Sequence, residues 1–225
     1  RGIFNREASV KQAAKNGRRE TCYEFGTNPC SEIILRPNQF CNLSEVVIRA
    51  TDGLEDIARK VRVATILGTI QSTYTNFPYL RKVWTTNTEA ERLLGVSLTG
   101  IMDNPLMTMD NEGLSDTLEY LKDVAVTTNA DWADRLSIPA ATAISCVKPS
   151  GTVSQLVDSA SGIHARHSPY YIRTVRGDNK DPLTQFMIDQ GIPSEPDVMK
   201  PDATTVFSFP MQAPEGAVCT SDMSA

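Results

Sequence analysis

With 225 residues, 40% of them hydrophobic and 22% charged, the chain reads as an ordinary soluble globular protein, long enough to bury a core. Its 22 basic residues against 27 acidic ones leave a net charge of −5, which argues against a protein that grips duplex nucleic acid by its phosphates. No apolar run approaches the roughly 18 residues of a membrane span, no secretory signal opens the chain, and five cysteines with no CxxC or zinc spacing exclude a disulfide scaffold and fit a reducing cytoplasm.

The chain starts on Arg1 and stops at Ala225 in polar sequence, which reads as a piece of something longer. Its first twenty residues are basic, and Asn5 is placed to cap a helix running to about Asn16 and closed by Gly17. The turn formers Thr27-Asn28-Pro29-Cys30-Ser31-Glu32 precede a short strand at Ile33-Ile34-Leu35, and Val46-Val47-Ile48 reads as another. Leu54, Ile57, Val61, Ala64, Leu67 and Ile70 recur at helical spacing after Gly53. A second helix is expected from about Glu89, carrying Leu93, Leu94 and Val96, and a third from Leu114 to Leu136. Ala143 to Val147 reads as a buried strand running into Lys148-Pro149-Ser150-Gly151-Thr152 and a short helical stretch to Val157. Tyr170 to Val175 is a further strand, Asp181-Pro182 opens a helix closed by Gly191, and Thr204 to Phe209 is the last strand. Strands alternating with helices argue one α/β body of parallel strands with helices outside, barrel or open sheet undecided.

Asn28, Cys30 and Glu32 alternate, so an extended segment would project all three to one face. A carboxylate there raises a thiol's pKa, which is wrong for a thiolate nucleophile and harmless for a thiyl radical. Cys30 as a small apolar residue in a turn stays open beside that reading, and so does Cys41 as a buried structural cysteine. Ser150-Gly151-Thr152-Val153-Ser154 follows a strand and opens a helix, a setting for an anion on backbone N–H groups or for an ordinary helix cap. His164 and His167, the only histidines, have no third ligand in view, so no metal site is expected; Trp84, Trp132 and the Tyr170-Tyr171 pair are read as packing.

Asn28-Pro29-Cys30-Ser31-Glu32-Ile33 followed by Cys41-Asn42-Leu43-Ser44 closely resembles the active-site signature of ribonucleotide reductases. Gly2-Ile3-Phe4-Asn5-Arg6-Glu7-Ala8, Lys148 to Ser154 and Ser161-Gly162-Ile163-His164-Ala165-Arg166-His167 resemble the monomeric, adenosylcobalamin-dependent, triphosphate-reducing class. The resemblance implies that residues 1–225 are a partial catalytic barrel domain, incomplete at both ends: the later portion of a ten-stranded α/β barrel with Cys30 at the tip of a central finger loop, shielded from solvent.

It further implies roles. Cys30 becomes a thiyl radical that takes the ribose 3′ hydrogen, Glu32 accepts the 3′-hydroxyl proton, Asn28 fixes the hydroxyls, and Cys41 is one of a reducing dithiol. Ser150, Gly151, Thr152, Val153 and Ser154 hold the substrate phosphates. The cofactor would be adenosylcobalamin, by resemblance only, since no DxHxxG pattern is present; the reductant would be a thioredoxin-like protein, and the enzyme a cytoplasmic monomer with allosteric sites upstream.

The family's upstream partner of Cys41 and its C-terminal shuttle pair have no match, so the fragment alone is expected to be inactive. Cys22 and Cys146 read as structural, and Cys219 as a lone thiol in a polar tail. Two other readings are a reductase whose radical comes from a diiron subunit and a non-redox nucleotide-binding module built on the Ser150 turn; a purely structural α/β domain is the third.

Overall fold

A computed structural model describes residues 4–108 and 112–223, so Arg1, the Gly2-Ile3 start of the first motif and Ala225 lie outside the described residues. The chain divides into two compact units, Arg1–Ala165 and Arg166–Ala225. Among the described residues no helix is long and apolar enough to cross a membrane.

In the first unit, α1 (Arg6–Ala14) starts where expected, because the Asn5 side chain accepts the Ala8 N–H at 3.1 Å. A two-residue hairpin follows, β1 (Gly26–Thr27) antiparallel to β2 (Ile34–Leu35). Strand β3 (Asn42–Val47) leads into α2 (Leu54–Gln71), and after α3 (Lys82–Glu91) comes β4 (Leu94–Thr99), parallel to β3 with Asn42 beside Leu94 and Val47 beside Thr99. Helix α4 (Leu114–Arg135) packs on α2, and α2 covers both strands. Val46, Ile48, Ile57, Val61, Leu94, Val96, Leu121, Ala125 and Ile144 form the core between them.

Three expectations change here. Leu93 to Val96 are not helical. Helix α3 stops at Glu91, Arg92 turns the chain in the left-handed region (φ 44°), and Leu94–Thr99 is a strand buried nearly throughout. A parallel strand covered on both faces carries a continuous apolar run, and such a run lacks the alternation that separates strand from helix.

The stripe on α2 holds at Ile57, Val61 and Ala64 and then fails, since Leu67 and Ile70 are exposed and the buried face continues through Thr65, Gly68 and Thr69. On α4, Leu121 and Ala125 are buried while Leu118 is exposed.

The segment 143–147 is less than a buried strand. It hydrogen-bonds along β4 (Leu94 N–H to Ala143 O at 2.9 Å, Val96 N–H to Ile144 O at 2.8 Å, Cys146 N–H to Val96 O at 3.0 Å), but makes only a bridge at Ser145 and exposes Val147. It therefore flanks β4 on the side away from β3. The short helix α5 (Gly151–Leu156) follows.

The second unit is antiparallel, against the expectation of parallel strands throughout. Its sheet is ordered β5 (Tyr170–Asp178), β7 (Thr204–Gln212), β6 (Ser194–Pro196), with the helix α6 (Pro182–Asp189) capped by Asp181 as its sequence predicts. Phe207 is its buried centre. Tyr170 is exposed rather than packed, whereas Tyr171 meets His167 edge to face. Cys219 is buried, not part of a loose tail. The architecture is mixed α/β, and the described sheets have two, two and three strands; none of them closes.

Candidate active site

The sequence Thr27-Asn28-Pro29-Cys30-Ser31 makes a tight turn, not an extended run. Pro29 suits the second position of such a turn, Ser31 N–H closes on Asn28 O at 3.0 Å, and Ser31 takes a positive φ of 62°. The alternation argument therefore does not apply to Asn28, Cys30 and Glu32. The Asn28 amide oxygen accepts the Ile33 N–H at 3.1 Å, so it is spent inside the turn instead of facing a ligand. Cys30 stands exposed at the turn's crest, contrary to the expected shielded thiol.

A buried cluster fixes the hairpin carrying this turn. The Arg19 guanidinium donates to both oxygens of Glu91 (2.9 and 2.8 Å) at the end of α3 and to Ile34 O of β2 (2.8 Å). Arg36 also pairs with Glu91 at 2.9 Å and stacks on the Tyr23 ring, and Gln39 donates to Glu91. Burial alone would push the Glu91 carboxyl up, but hydrogen bonds from Arg19 and Gln39, with the charges of Arg19 and Arg36, hold it below the usual carboxylate range. None of this network was foreseen from sequence; a glutamate and arginines in amphipathic surroundings look like ordinary surface charge.

Glu32 points inward. Its side chain is 2% exposed and lies 3.7 Å from Lys148 Nζ, while its second oxygen is buried and has no hydrogen-bond partner among the described residues. Two thiols face the same carboxylate. Burial, the neighbouring Cys146 and the Glu32 charge push the Cys41 thiol up to about 12, with Arg19 opposing. Burial and Glu32 push Cys146 up to about 11, against Lys148.

Both sulfurs lie close to Gly95 of β4. A side-chain carbon added there would stand 3.2 Å from Cys41 Sγ and 3.3 Å from Cys146 Sγ, so the sulfurs are no farther apart than those two distances together. Cys146, expected to be structural, thus belongs to the candidate site. Sequence gave no sign of this, because Gly95 fell inside a stretch read as helix.

Ser150 takes a left-handed conformation (φ 48°) and is buried, with its Oγ lacking a hydrogen-bond partner among the described residues. The Ser161 hydroxyl donates to Pro149 O (2.8 Å) and Ser150 O (2.9 Å), bracing the turn from behind. Gly162 (φ 55°) passes so close that a side-chain carbon there would lie 2.6 Å from Lys148 O, so only glycine fits. Gly151, Thr152, Val153 and Ser154 form the first turn of α5; Ser154 is buried, its hydroxyl bonded to Gly151 O at 3.1 Å. The first unit thus brings Glu32, Cys41, Cys146 and Lys148 together, with the braced turn directly following Lys148. Among the described residues no group of three or more His, Cys, Asp and Glu side chains forms a metal-binding set.

No family model matches the chain. It is 29% identical over 206 residues to the adenosylcobalamin-dependent ribonucleoside-triphosphate reductase of Euglena gracilis, covering 89% of this chain and 27% of that protein. It is 30% identical over 214 residues to the enzyme of the same name from Lactobacillus gasseri, covering 84% of this chain and 28% of that one. The crystal structure of a B12-dependent (class II) ribonucleotide reductase superposes with a TM-score of 0.68 at 25% identity, over 85% of this chain and 30% of that one. The chain is related to the adenosylcobalamin-dependent ribonucleoside-triphosphate reductases. It spans little more than a quarter of the length of these reductase relatives.

Proposed function

We propose that the intact protein reduces ribonucleoside triphosphates to 2′-deoxyribonucleoside triphosphates, and that this chain carries the groups that touch the ribose. The observation that carries this reading is a desolvated carboxylate, Glu32, facing two protonated thiols, two residues beyond Cys30 on a tight turn. The names of the relatives favour it over a diiron-dependent reductase and over a nucleotide-binding module.

The chemistry follows from the residues. Cys30, as a radical, takes the 3′ hydrogen. Glu32 accepts the 3′-hydroxyl proton at its unpartnered oxygen, and the 2′-hydroxyl leaves as water. Two thiols, one of them Cys41, then supply two hydrogens and close to a disulfide, so that ribonucleotide plus two thiols gives deoxyribonucleotide, disulfide and water. The Ser150–Ser154 turn, with the buried Ser150 hydroxyl, receives the phosphates, and Lys148, two residues before Ser150, has its ammonium 3.7 Å from Glu32. Asn28 serves the ribose through its amide N–H groups, since its oxygen is engaged.

Adenosylcobalamin, when bound, supplies the one-electron chemistry that makes the Cys30 sulfur a radical. Cys30 fits that group because an exposed thiol at the crest of a turn can be reached by a bulky cofactor. In this reading β3, β4 and the 143–146 segment are neighbouring staves of a ten-stranded barrel, of which residues 1–225 are a later, partial piece. The Cys30 turn is its central finger, and water is excluded around it once the barrel is complete. The reductant is a thioredoxin-like protein, and the enzyme works as a monomer in the cytoplasm.

The test is made in the full-length protein. Cys30→Ser is expected to abolish deoxynucleotide formation from a ribonucleoside triphosphate with adenosylcobalamin, while nucleotide affinity falls little. A Cys30→Ser protein that still reduces nucleotide overturns the reading.

A further inference from the structure

Most lysines trail their ammonium in water. Lys148 is held differently. The chain just before it is pinned to β4, where the Cys146 N–H donates to Val96 O at 3.0 Å. The chain just after it is pinned by the Ser161 hydroxyl, which donates to Pro149 O at 2.8 Å and Ser150 O at 2.9 Å, and Gly162 passes against Lys148 O itself. From this clamped backbone the side chain, 27% exposed, sets its ammonium 3.7 Å from Glu32, which belongs to a different segment, the Cys30 hairpin.

The other charges nearby leave this task to Lys148. Arg19, which also faces Cys41, commits its guanidinium to both Glu91 oxygens and to Ile34 O, and Arg36 pairs with Glu91. Cys41, Cys146 and Glu45 lie close as well, and none of them brings a positive charge. Among the described residues, Lys148 is the cation paired with Glu32.

We propose that Lys148 is a positioning residue for the proton transfer at Glu32: its ammonium holds the carboxylate in place as acceptor of the 3′-hydroxyl proton and ties the Cys30 hairpin to the segment flanking β4. The inference rests on the function proposed above and adds a residue that acts through Glu32. Burial favours the neutral form of a carboxyl, an opposite charge nearby favours the charged form, and only the charged form can take a proton from the sugar. At 3.7 Å the ammonium is past ordinary hydrogen-bond length, so it lends charge without occupying the lone pair that the incoming proton needs. The proton passes from the 3′ oxygen to Glu32, and Lys148 keeps its own.

The experiment uses the full-length protein and follows deoxynucleotide formation from an isotope-labelled ribonucleoside triphosphate with adenosylcobalamin and a dithiol reductant. Lys148→Met keeps the stem and drops the charge. Lys148→Gln runs in parallel, so that a folding defect in one variant leaves the other to read, and Lys148→Arg keeps the charge. The same Lys148→Met change is also made in a Glu32→Gln protein, which closes a double-mutant cycle.

The proposal expects Lys148→Met and Lys148→Gln to lower kcat by about 10- to 100-fold with KM for the nucleotide within about threefold of wild type. Lys148→Arg recovers most of that loss, and in the Glu32→Gln protein the Lys148→Met change costs less than about twofold more. A loss that repeats in full without the Glu32 carboxylate overturns the proposal, because Lys148 then acts elsewhere. So does a rise in KM with kcat intact, the mark of a lysine that only binds phosphate, and so does wild-type kcat in both uncharged variants. In each of those cases an active wild type leaves the function reading standing. A wild type that makes no deoxynucleotide overturns that reading and this inference with it.

Discussion

A buried polar oxygen without a partner is a costly thing to keep, and Glu32 keeps one among the described residues, with a single cation 3.7 Å from its other oxygen. On the proposed function, that cost suits a group reserved for a substrate proton. Replacing Glu32 by glutamine in the full-length protein keeps the shape and removes the base, and is expected to slow deoxynucleotide formation by about 10²- to 10⁴-fold with little change in nucleotide affinity by equilibrium binding. The thiols give a second check. With Cys41 pushed up to about 12 and Cys146 to about 11, alkylation by iodoacetamide should be slow at neutral pH. It should accelerate roughly tenfold per pH unit as thiolate forms, Cys146 ahead of Cys41. Peptide-resolved labelling measures this, and equal labelling of both at pH 7 with the exposed Cys22 contradicts the burial argument.

At the level of elements, the Arg19–Glu91–Arg36–Gln39 cluster ties β2 to the end of α3 and so fixes where the Cys30 turn projects. Glu91→Ala would leave two guanidiniums facing a void and is expected to cost about 3–5 kcal/mol in denaturant unfolding. Because the folded carboxyl lies below its unfolded value, its contribution is complete above about pH 4.3 and disappears as the pH falls through the lowered value. In Gly95→Ala the new methyl meets Leu43 Cδ2 at 2.5 Å as well as both sulfurs, and a loss of about 1–3 kcal/mol is expected. Much of the element pattern was legible in sequence, since Asn5 and Asp181 cap their helices through contacts a few residues away. Strand β4 was not legible, because a run buried on both faces has no period, and with it went Gly95. The Cys30 turn was visible in its turn formers, but its exposure and the inward amide of Asn28 depend on how the turn closes. Nor could Cys146 be placed near Cys41, because that proximity is made by the parallel crossover and appears in no local pattern.

For the molecule as a whole, both raised thiols act on stability in the same direction. A thiol whose folded value is raised contributes fully below the unfolded value of about 8.5, and that contribution is lost as the pH rises toward about 11 for Cys146 and about 12 for Cys41. The midpoint of denaturant unfolding is therefore expected to fall between pH 8.5 and 11, and to fall less in Cys41→Ala/Cys146→Ala once their lower starting stability is allowed for. The two units differ in construction, one a parallel pair under helices and the other an antiparallel sheet, so the chain is no uniform run of alternating strand and helix. The unbonded oxygen of Glu32 has a further consequence for discrimination. On the proposed function, a sugar that offers no hydroxyl to it leaves that acceptor buried and unanswered, so a 3′-deoxy analogue is expected to forfeit more than the ordinary worth of one hydrogen bond and to compete poorly with substrate.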